Sequence, residues 1–229
     1  MALADDIKSN VKKILSEKWE TRQGQVVPSP EKLYLKNEAV ELEGTVLYAD
    51  LDGSTYMVDN NEPWFSAEVY KSYLWCCAKI IKDNDGVITA YDGDRIMAVY
   101  IGDRRNSNAA QTALKINYAV QKIINPSIKE QYSNSYEVKQ VVGIDTSNLF
   151  VTRTGVRGDN DLVWVGRAAN YAAKMTSLSS DTPSWISEAV YKKINKDTKF
   201  TDGKNMWVRK KWTSMNDFII YSSSWIWPI

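Results

Sequence analysis

The chain has 229 residues and a net charge of +1, so it has no strong overall basic field to attract nucleic acid. It contains no histidine, which excludes Ser-His and Cys-His nucleophile systems, a histidine general base and His-ligated zinc. Its apolar runs are too short to span a bilayer, and the adjacent Cys76 and Cys77 are typical of core thiols in a reducing compartment. We therefore expect a cytoplasmic protein that contacts neither nucleic acid nor a membrane.

The N-terminal residues predict a helix followed by an irregular arm. Residues 5–19 carry apolar side chains at helical spacing, and Pro28 and Pro30 interrupt the sequence that follows. The helix has no apolar segment typical of a secretory signal. We predict an N-terminal helix and arm over residues 1–43 and the main domain over residues 44–229.

From residue 44 onward, strand and helix patterns alternate. The predicted elements are a strand over 44–51, a turn over 52–55, a helix over 63–82, strands over 87–91 and 95–101, a helix over 106–124, a hairpin of strands over 138–146 and 148–154, a polar loop over 155–161, a helix over 167–178, a strand over 184–187, a helix over 188–194 and terminal strands. This order predicts an α+β fold with a ferredoxin-like βαββαβ core and an antiparallel sheet.

Tryptophan is concentrated towards the C-terminus. Five of the nine tryptophans lie there: Trp185, Trp207, Trp212, Trp225 and Trp227. Since aromatic side chains contribute large buried areas, we predict that this tail forms a small satellite core or an interface. Stacking on a nucleotide base is the alternative role.

The segment 48–55 places an acid, Asp50, at the end of an apolar strand and just before a turn of small and hydroxyl residues. Successive backbone N–H groups in such a turn, here at Gly53, Ser54 and Thr55, form an anion-binding nest. Hard divalent ions prefer carboxylate oxygen, so an acid beside a nest suits a metal-bound triphosphate. The alternative is that the acid only forms the turn.

A second acidic turn, at residues 91–95, lies between two apolar strands. Alone, its Asp-Gly sequence indicates only a tight turn. If the intervening helix crosses over and this hairpin pairs beside the first strand, Asp94 lies next to Asp50. Two carboxylates near one nest form a site for two Mg²⁺ or Mn²⁺ ions, and this pairing is more specific than either turn alone.

A third motif covers residues 163–175. Asn170 and Lys174 are four residues apart and share one face of a predicted helix. An amide beside an ammonium group suits a ribose and a phosphate. The alternative is an ordinary amphipathic helix with solvated polar side chains.

Together, and in this order, the three segments resemble the catalytic domain of class III nucleotidyl cyclases. The resemblance spans residues 44–194 and rests on the strand ending at Asp50, the hairpin with Asp94, and the helix with Asn170 and Lys174. It implies that residues 44–229 form a nucleotidyl cyclase catalytic domain with a C-terminal extension. The ferredoxin-like core of that family agrees with the predicted element order.

The resemblance also implies roles and a homodimer with its sites at the subunit interface. Asp50, Asp94 and the Leu51 carbonyl would hold two divalent metal ions on one subunit. Asn170 would orient the ribose from the other subunit, and Lys174 would stabilise charge on the triphosphate. The family usually has arginine at the position of Lys174, and lysine keeps the charge but loses the bidentate fork.

The positions that read the base differ from those of purine-specific relatives. Cyclases of this family that use ATP read adenine with a Lys and an Asp, and the matching positions here hold Ala90 and Val163. Each lost hydrogen-bond partner would cost about 1–3 kcal/mol. ATP is therefore not the expected substrate, and the polar residues of GTP readers are missing as well.

This departure resembles the pyrimidine cyclases of the bacterial Pycsar antiphage system, which make cyclic CMP or cyclic UMP to activate a separate effector. Uracil presents two carbonyl acceptors and so favours donors, whereas cytosine would favour an acceptor such as Asp92 or Asp161. We expect UTP to be preferred, with CTP as the alternative. Four further residues are candidates to narrow the base pocket or to contact the substrate: Tyr56, Trp164, Arg153 and Arg157.

Three other interpretations remain open from the sequence. A degenerate cyclase fold could serve as a nucleotide sensor, although both metal-binding acids are present. A two-metal polymerase palm shares the carboxylate geometry but needs a basic groove, which the net charge does not support. A plain interaction module would require all three motifs to coincide by chance.

Overall fold

The computed structural model of the chain describes residues 2–132 and 136–229. The chain divides into two compact units, one formed by Met1–Glu43 and Asn148–Gly166, the other by Gly44–Ser147 and Arg167–Ile229. The domain boundary predicted at residue 44 places residues 148–166 in the main domain. In the structure these residues belong to the same compact unit as the N-terminal arm. The division into functional domains stays a prediction.

The helices are α1 (Leu3–Ser16), α2 (Ser54–Asn60), α3 (Pro63–Asp83), α4 (Arg105–Ala119), α5 (Asn125–Gln131), α6 (Arg167–Met175), α7 (Glu188–Lys193) and α8 (Lys196–Lys199). The strands are β1 (Glu20–Gln23), β2 (Glu38–Asp52), β3 (Val87–Asp92), β4 (Arg95–Tyr100), β5 (Lys139–Val156), β6 (Asp159–Val165), β7 (Ser184–Ser187), β8 (Phe200–Thr201), β9 (Lys204–Asn205), β10 (Val208–Trp212) and β11 (Phe218–Ser223). In the part of the chain that the structure describes, no helix is long and apolar enough to cross a membrane.

The larger unit is built on a sheet with the strand order β10-β11-β7-β5-β2-β4-β3. Its main core lies where this sheet packs against α3 and α4, with Leu47, Tyr73 and Leu114 among its fully buried side chains. The predicted α+β fold class is confirmed, but one expectation about the sheet is wrong. Strands β5 and β7 pair in parallel, because α6 carries the chain back across the sheet between them.

The hairpin predicted over residues 138–154 is wrong, because β5 is one continuous strand. The polar residues near its middle do not form a turn: Thr146 donates its hydroxyl to the Gly44 carbonyl, and Ser147 accepts a hydrogen bond from the Ala168 amide. The chain reverses later, at Arg157 and Gly158, where the glycine has a φ of 98°. Strand β6 then pairs back along β5; it begins inside the predicted polar loop, residues 155–161, and continues beyond it to Val165.

The helix predicted over residues 106–124 does not end before Pro126. A π-helical turn, Val120–Ile124, follows α4 directly and leads into α5. Pro126 lies in the first turn of α5, directly after this π-helical turn.

The N-terminal unit contains more regular structure than the sequence predicted. Strand β1 pairs in parallel with the first residues of β2, in a segment expected to be irregular. The side-chain amide of the buried Asn37 donates to the carbonyls of Ile14 and Glu17, both at 2.8 Å, and so fixes the end of α1. The Trp19 ring meets Phe150 edge-on at 5.0 Å.

Trp185 and Trp212 form part of a small second core, as predicted for the C-terminal region, whereas Trp207 lies in the main core. Trp185, Trp207 and Trp212 are buried. The side chain of Asn117 on α4 donates to the carbonyls of Ser224 and Trp225, which holds the last residues against that helix. These tryptophans are therefore structural parts of the larger unit.

Candidate active site

The two predicted metal ligands lie at neighbouring strand ends. In the antiparallel pair of β2 and β4, Ala49 stands opposite Ile96. Asp50 follows Ala49, and Asp94 lies in the turn that enters β4, so the register brings the two carboxyl groups to the same end of the sheet. Burial first, and then the charge of Asp94, raise the pKa of Asp50 to about 6, while Arg95 opposes the shift.

These groups fit a divalent cation by their chemistry. The Asp94 Oδ2 atom is buried and has no hydrogen-bond partner among the described residues. A cation would satisfy this oxygen and remove the repulsion between the two carboxylates, and the neighbouring Leu51 carbonyl could supply a third oxygen. Within the described ranges, no cluster of three or more Asp, Glu, His or Cys side chains could hold a metal ion.

Replacement of Asp50 with asparagine should stabilise the metal-free protein. The pKa of this carboxyl group is higher in the folded chain than its usual value of 3.8, so ionisation above about pH 6 opposes folding. Because the Asp50 carboxyl group is only half-buried, solvent screens part of this effect. We expect the free energy of unfolding to rise by about 1 kcal/mol at pH 7.5. Urea unfolding in the presence of a chelator should show this gain, which should vanish below about pH 4. An Asp50→Asn variant that is less stable than the parent at pH 7.5 would contradict the inference that the ionised Asp50 beside Asp94 opposes folding.

The predicted turn after Asp50 is the start of a helix. Gly53 has a left-handed φ of 74°, and α2 begins at the next residue. The backbone N–H groups of Ser54, Thr55 and Tyr56 belong to the first turn of this short helix, in which most N–H groups lack an intrahelical acceptor. The Tyr56 side chain is exposed, and with Gly53 it borders an open cavity of about 650 Å³.

Tyrosines on α3 and nearby contact this site, and the sequence analysis did not identify them. The hydroxyl of the fully buried Tyr73 donates to the Asp50 carbonyl at 3.3 Å. The pKa of Tyr70 is raised mainly by burial and then by the charge of Asp94, while the Ser54 side chain opposes the shift. Tyr136 has its pKa raised mainly by burial. Tyr70 and Tyr73 are one helical turn apart, a spacing that does not distinguish them from ordinary core aromatics.

The predicted base-reading position Ala90 lies on β3 beside an irregularity in the sheet. The pairing of β3 with β4 shifts register between Ile88 and Ala90, which leaves Thr89 as an extra residue. Bulges of this kind redirect side chains and are common beside active sites. On the adjoining strands, the Arg95 guanidinium lies 5.7 Å from the ring of Tyr48, and these two residues were also missed.

Helix α6 presents the predicted catalytic side chains Asn170 and Lys174 to solvent on one face. Its opposite face is buried through three alanines and Met175. The helix approaches β5 closely at Gly143, where an added Cβ would come within 2.2 Å of the Ala172 carbonyl oxygen. Asn170 and Lys174 therefore face solvent from a closely packed helix, and the Lys174 ammonium has one weak contact, to Met215 Sδ at 4.0 Å.

An ion pair fixes the start of α6. The Arg167 guanidinium donates to both carboxylate oxygens of the fully buried Asp145, at 2.9 and 3.1 Å, and also to the Thr146 carbonyl. Thr176, just beyond the end of the helix, places its hydroxyl 3.4 Å from Asp50 Oδ2. The start of α6 is thus tied to β5, and the segment just after its end contacts Asp50 on β2.

Replacement of Arg167 with methionine should destabilise the protein by about 3 kcal/mol, because it leaves the buried Asp145 carboxylate without its cation. Denaturant unfolding measures this change. Lys192→Met is the matched control, since Lys192 pairs with Glu188 at an exposed position and should change stability by less than about 1 kcal/mol. Equal effects of the two substitutions would show that the pair does not hold α6.

The other predicted substrate residues belong to the N-terminal unit. Arg153 donates to the Asn160 side chain and to the Leu33 carbonyl, so its guanidinium has structural partners. Val163 is exposed, and Trp164 follows it on β6. Adjacent strand residues face opposite sides, so only one of these two can contact a given base. Arg157 lies exposed at the hairpin turn.

Comparison with known proteins identifies the class. The family model described as the adenylate and guanylate cyclase catalytic domain matches residues 39–222. The chain therefore belongs to this family, the class III nucleotidyl cyclases, and the prediction made from the three motifs is confirmed.

Among curated proteins, the chain is 52% identical to a uridylate cyclase of Xanthomonas perforans and 49% identical to a uridylate cyclase of Burkholderia cepacia, in each case over 100% of both chains. Among solved structures, it resembles the adenylyl cyclase CyaB from P. aeruginosa, with 20% identity and a TM-score of 0.67 over 81% of this chain and 95% of that one. The guanylyl cyclase Cya2 gives the same TM-score at 18% identity, over 82% of this chain and 94% of that one. These two structures support the fold.

Proposed function

We propose that this protein is a uridylate cyclase, which converts UTP to cyclic UMP and pyrophosphate. The observation that carries the proposal is the Asp50–Asp94 carboxylate pair beside Ala90, a base-reading position that offers no hydrogen-bonding side chain. The names of the full-length relatives support the same substrate. UTP was also the substrate favoured from the sequence.

In the proposed mechanism, Asp50, Asp94 and the Leu51 carbonyl bind Mg²⁺ or Mn²⁺. When bound, two such ions would lower the pKa of the ribose 3′ hydroxyl and stabilise charge on the leaving phosphates. The 3′ hydroxyl loses its proton to solvent water, its oxygen attacks the α-phosphorus in line, and the bond from the α-phosphorus to the leaving pyrophosphate breaks. The first-turn N–H groups of α2 contact the triphosphate, and the rigid sheet end holds the substrate in the attacking geometry.

The active form is proposed to be a homodimer with its sites at the interface. Asn170 and Lys174 lie on an exposed helix face, from which they can reach the substrate on the partner subunit. There, Asn170 orients the ribose and Lys174 neutralises charge on the triphosphate. Lysine provides the charge as a single point, so we expect it to position the phosphates less rigidly than arginine does.

A pyrimidine fits the base-reading positions better than a purine. Alanine and valine at 90 and 163 would leave the hydrogen-bonding edge of adenine or guanine without partners, at a cost of about 1–3 kcal/mol for each lost bond. Cyclic CMP synthesis from CTP is the alternative activity. By resemblance to the Pycsar cyclases, the product acts as a second messenger in antiphage defence and activates a separate effector protein.

A direct assay tests this proposal. The purified chain is incubated with Mn²⁺ and each of the four nucleoside triphosphates, and the products are identified by mass spectrometry. Cyclic UMP should be the main product. Mainly cyclic CMP would support the alternative activity. Cyclic AMP or cyclic GMP would contradict the inference that Ala90 and Val163 disfavour a purine. No product from any substrate would favour a nucleotide sensor.

A further inference from the structure

The N-terminal helix α1 exposes a continuous apolar face. None of its residues, all of which the structure describes, is buried. Its large apolar side chains are between 49% and 82% exposed: Leu3, Ile7, Val11, Ile14 and Leu15. Isolated apolar residues on a surface are common, but a row at helical spacing marks an interaction surface.

The helix itself needs such an interaction. A helix of about this length is only marginally stable in water without tertiary packing. Its first turn has no side-chain cap, and the bonds from Asn37 to Ile14 and Glu17 hold only its C-terminal end. These bonds fix the base of α1 while its apolar face stays open.

The sequence of α1 is complementary to itself in reverse. Two copies of α1 can run antiparallel with their Ser9 residues at the same level along the helix axis. In that alignment Ile7 of one copy lies opposite Val11 of the other, and Leu3 lies opposite Leu15. The spacings from Ile7 to Val11 and from Val11 to Ile14 are four and three residues, as in the seam of a coiled coil. The apolar face thus matches a second copy of itself.

The charges favour the same arrangement. The N-terminal half carries Asp5, Asp6 and Lys8, with a net charge of about −1, and the C-terminal half carries Lys12 and Lys13. An antiparallel pair brings the acidic half of each helix alongside the basic half of the other and opposes the two helix dipoles. A parallel pair would place like charges together.

We propose that α1 pairs antiparallel with α1 of a second copy of this chain. The contact is separate from the proposed catalytic interface, since α1 contains none of the predicted active-site residues. It therefore strengthens the catalytic dimer or joins dimers into larger assemblies. A membrane surface is a less suitable occupant, because Asp5 and Asp6 offset most of the charge of the three lysines on α1 and the apolar face lacks aromatic residues.

Sedimentation of the full-length protein tests the surface. The double variant Ile7→Glu/Val11→Glu should weaken self-association at least about tenfold, because it places charge in the paired seam. The control Ser9→Glu/Ser16→Glu adds the same charge to the opposite face and should leave association within about twofold of the parent. Equal association of parent and both variants would overturn the proposal. Circular dichroism checks that α1 persists in each variant.

Disulfide trapping tests the orientation in a Cys76→Ser background. An equal mixture of Ile7→Cys and Val11→Cys proteins should form at least about five times more crosslinked dimer than either protein alone. In an antiparallel pair, two Ile7→Cys positions are offset by about 6 Å along the axis, too far for a disulfide. A crosslink formed best by one variant alone would indicate a parallel pair and contradict the proposal.

Vesicle binding and crosslinking in an Asp94→Ala background separate α1 pairing from membrane binding and from the proposed cyclase activity. Binding of the parent to vesicles of anionic phospholipid, lost in Ile7→Glu/Val11→Glu while self-association is unchanged, would assign the face to membranes and overturn the proposal. The trapping result should be the same with Asp94→Ala added to each protein. The pairing of α1 can therefore be judged even if the proposed cyclase activity is wrong.

Discussion

Replacing Asp94 with alanine should lower cyclic nucleotide formation by at least about a thousandfold, with the protein still folded. Its buried oxygen has no partner among the described residues, so the side chain contributes little to folding. Its loss also removes the repulsion that raises the pKa of Asp50. The rate should fall because one of the two proposed metal-binding carboxylates is gone. Asp50→Ala should have the same effect.

Initial rates with UTP and Mn²⁺ measure the loss, and thermal unfolding together with sedimentation checks the fold and the dimer. Asp103→Ala is a suitable control, since it removes one exposed carboxylate outside the site and should change the rate by less than about twofold. Retention of cyclic nucleotide synthesis by Asp94→Ala or Asp50→Ala would show that these carboxylates do not form the reaction site.

The acidic pair could be predicted because its cause is local and repeated. Each acid ends or precedes an apolar strand, and a crossover helix with a following hairpin leaves few ways to arrange these strands. The register of β2 with β4 agrees with that reasoning. The same logic found α6, because its alanines and its polar residues separate cleanly by helical period.

Other features depend on contacts that a single sequence does not reveal. Tyr70 and Tyr73 on α3 have the spacing of ordinary core aromatics, and only their packing brings them to Asp50 and Ser54. The polar centre of β5 looked like a turn because its bonds come from distant residues, among them Gly44 and Ala168. These are tertiary effects that override local preference.

Pro126 and Arg153 show how local signals can mislead. The proline predicts a helix end, but a π-helical turn precedes it and the chain continues into α5 with Pro126 in the first turn. Arg153 is a sequence-based candidate for contact with the substrate as a hydrogen-bond donor, whereas in the structure its guanidinium donates to Leu33 and Asn160. A charge becomes a strong functional signal only when its structural partners are known.

The division of the site between two subunits leads to a second large effect. Asp94→Ala and Lys174→Ala should each be nearly inactive alone, but an equal mixture should recover about one quarter of the parental activity. In a mixed dimer, one site receives both defects. The other combines the intact carboxylates of the Lys174→Ala chain with the intact α6 of the Asp94→Ala chain. Half of all dimers are mixed after free exchange, and one of their two sites is complete.

The matched control is an equal mixture of Asp94→Ala and Asp50→Ala. Both substitutions damage the same side of the site, so every site in a mixed dimer lacks one carboxylate and no activity should return. Rates are measured after mixing and incubation long enough for subunits to exchange. Recovery in both mixtures, or in neither despite confirmed exchange, would contradict the placement of Asn170 and Lys174 across the interface. Recovery in the first mixture alone requires that α6 of one subunit acts on the substrate held by the carboxylates of the other.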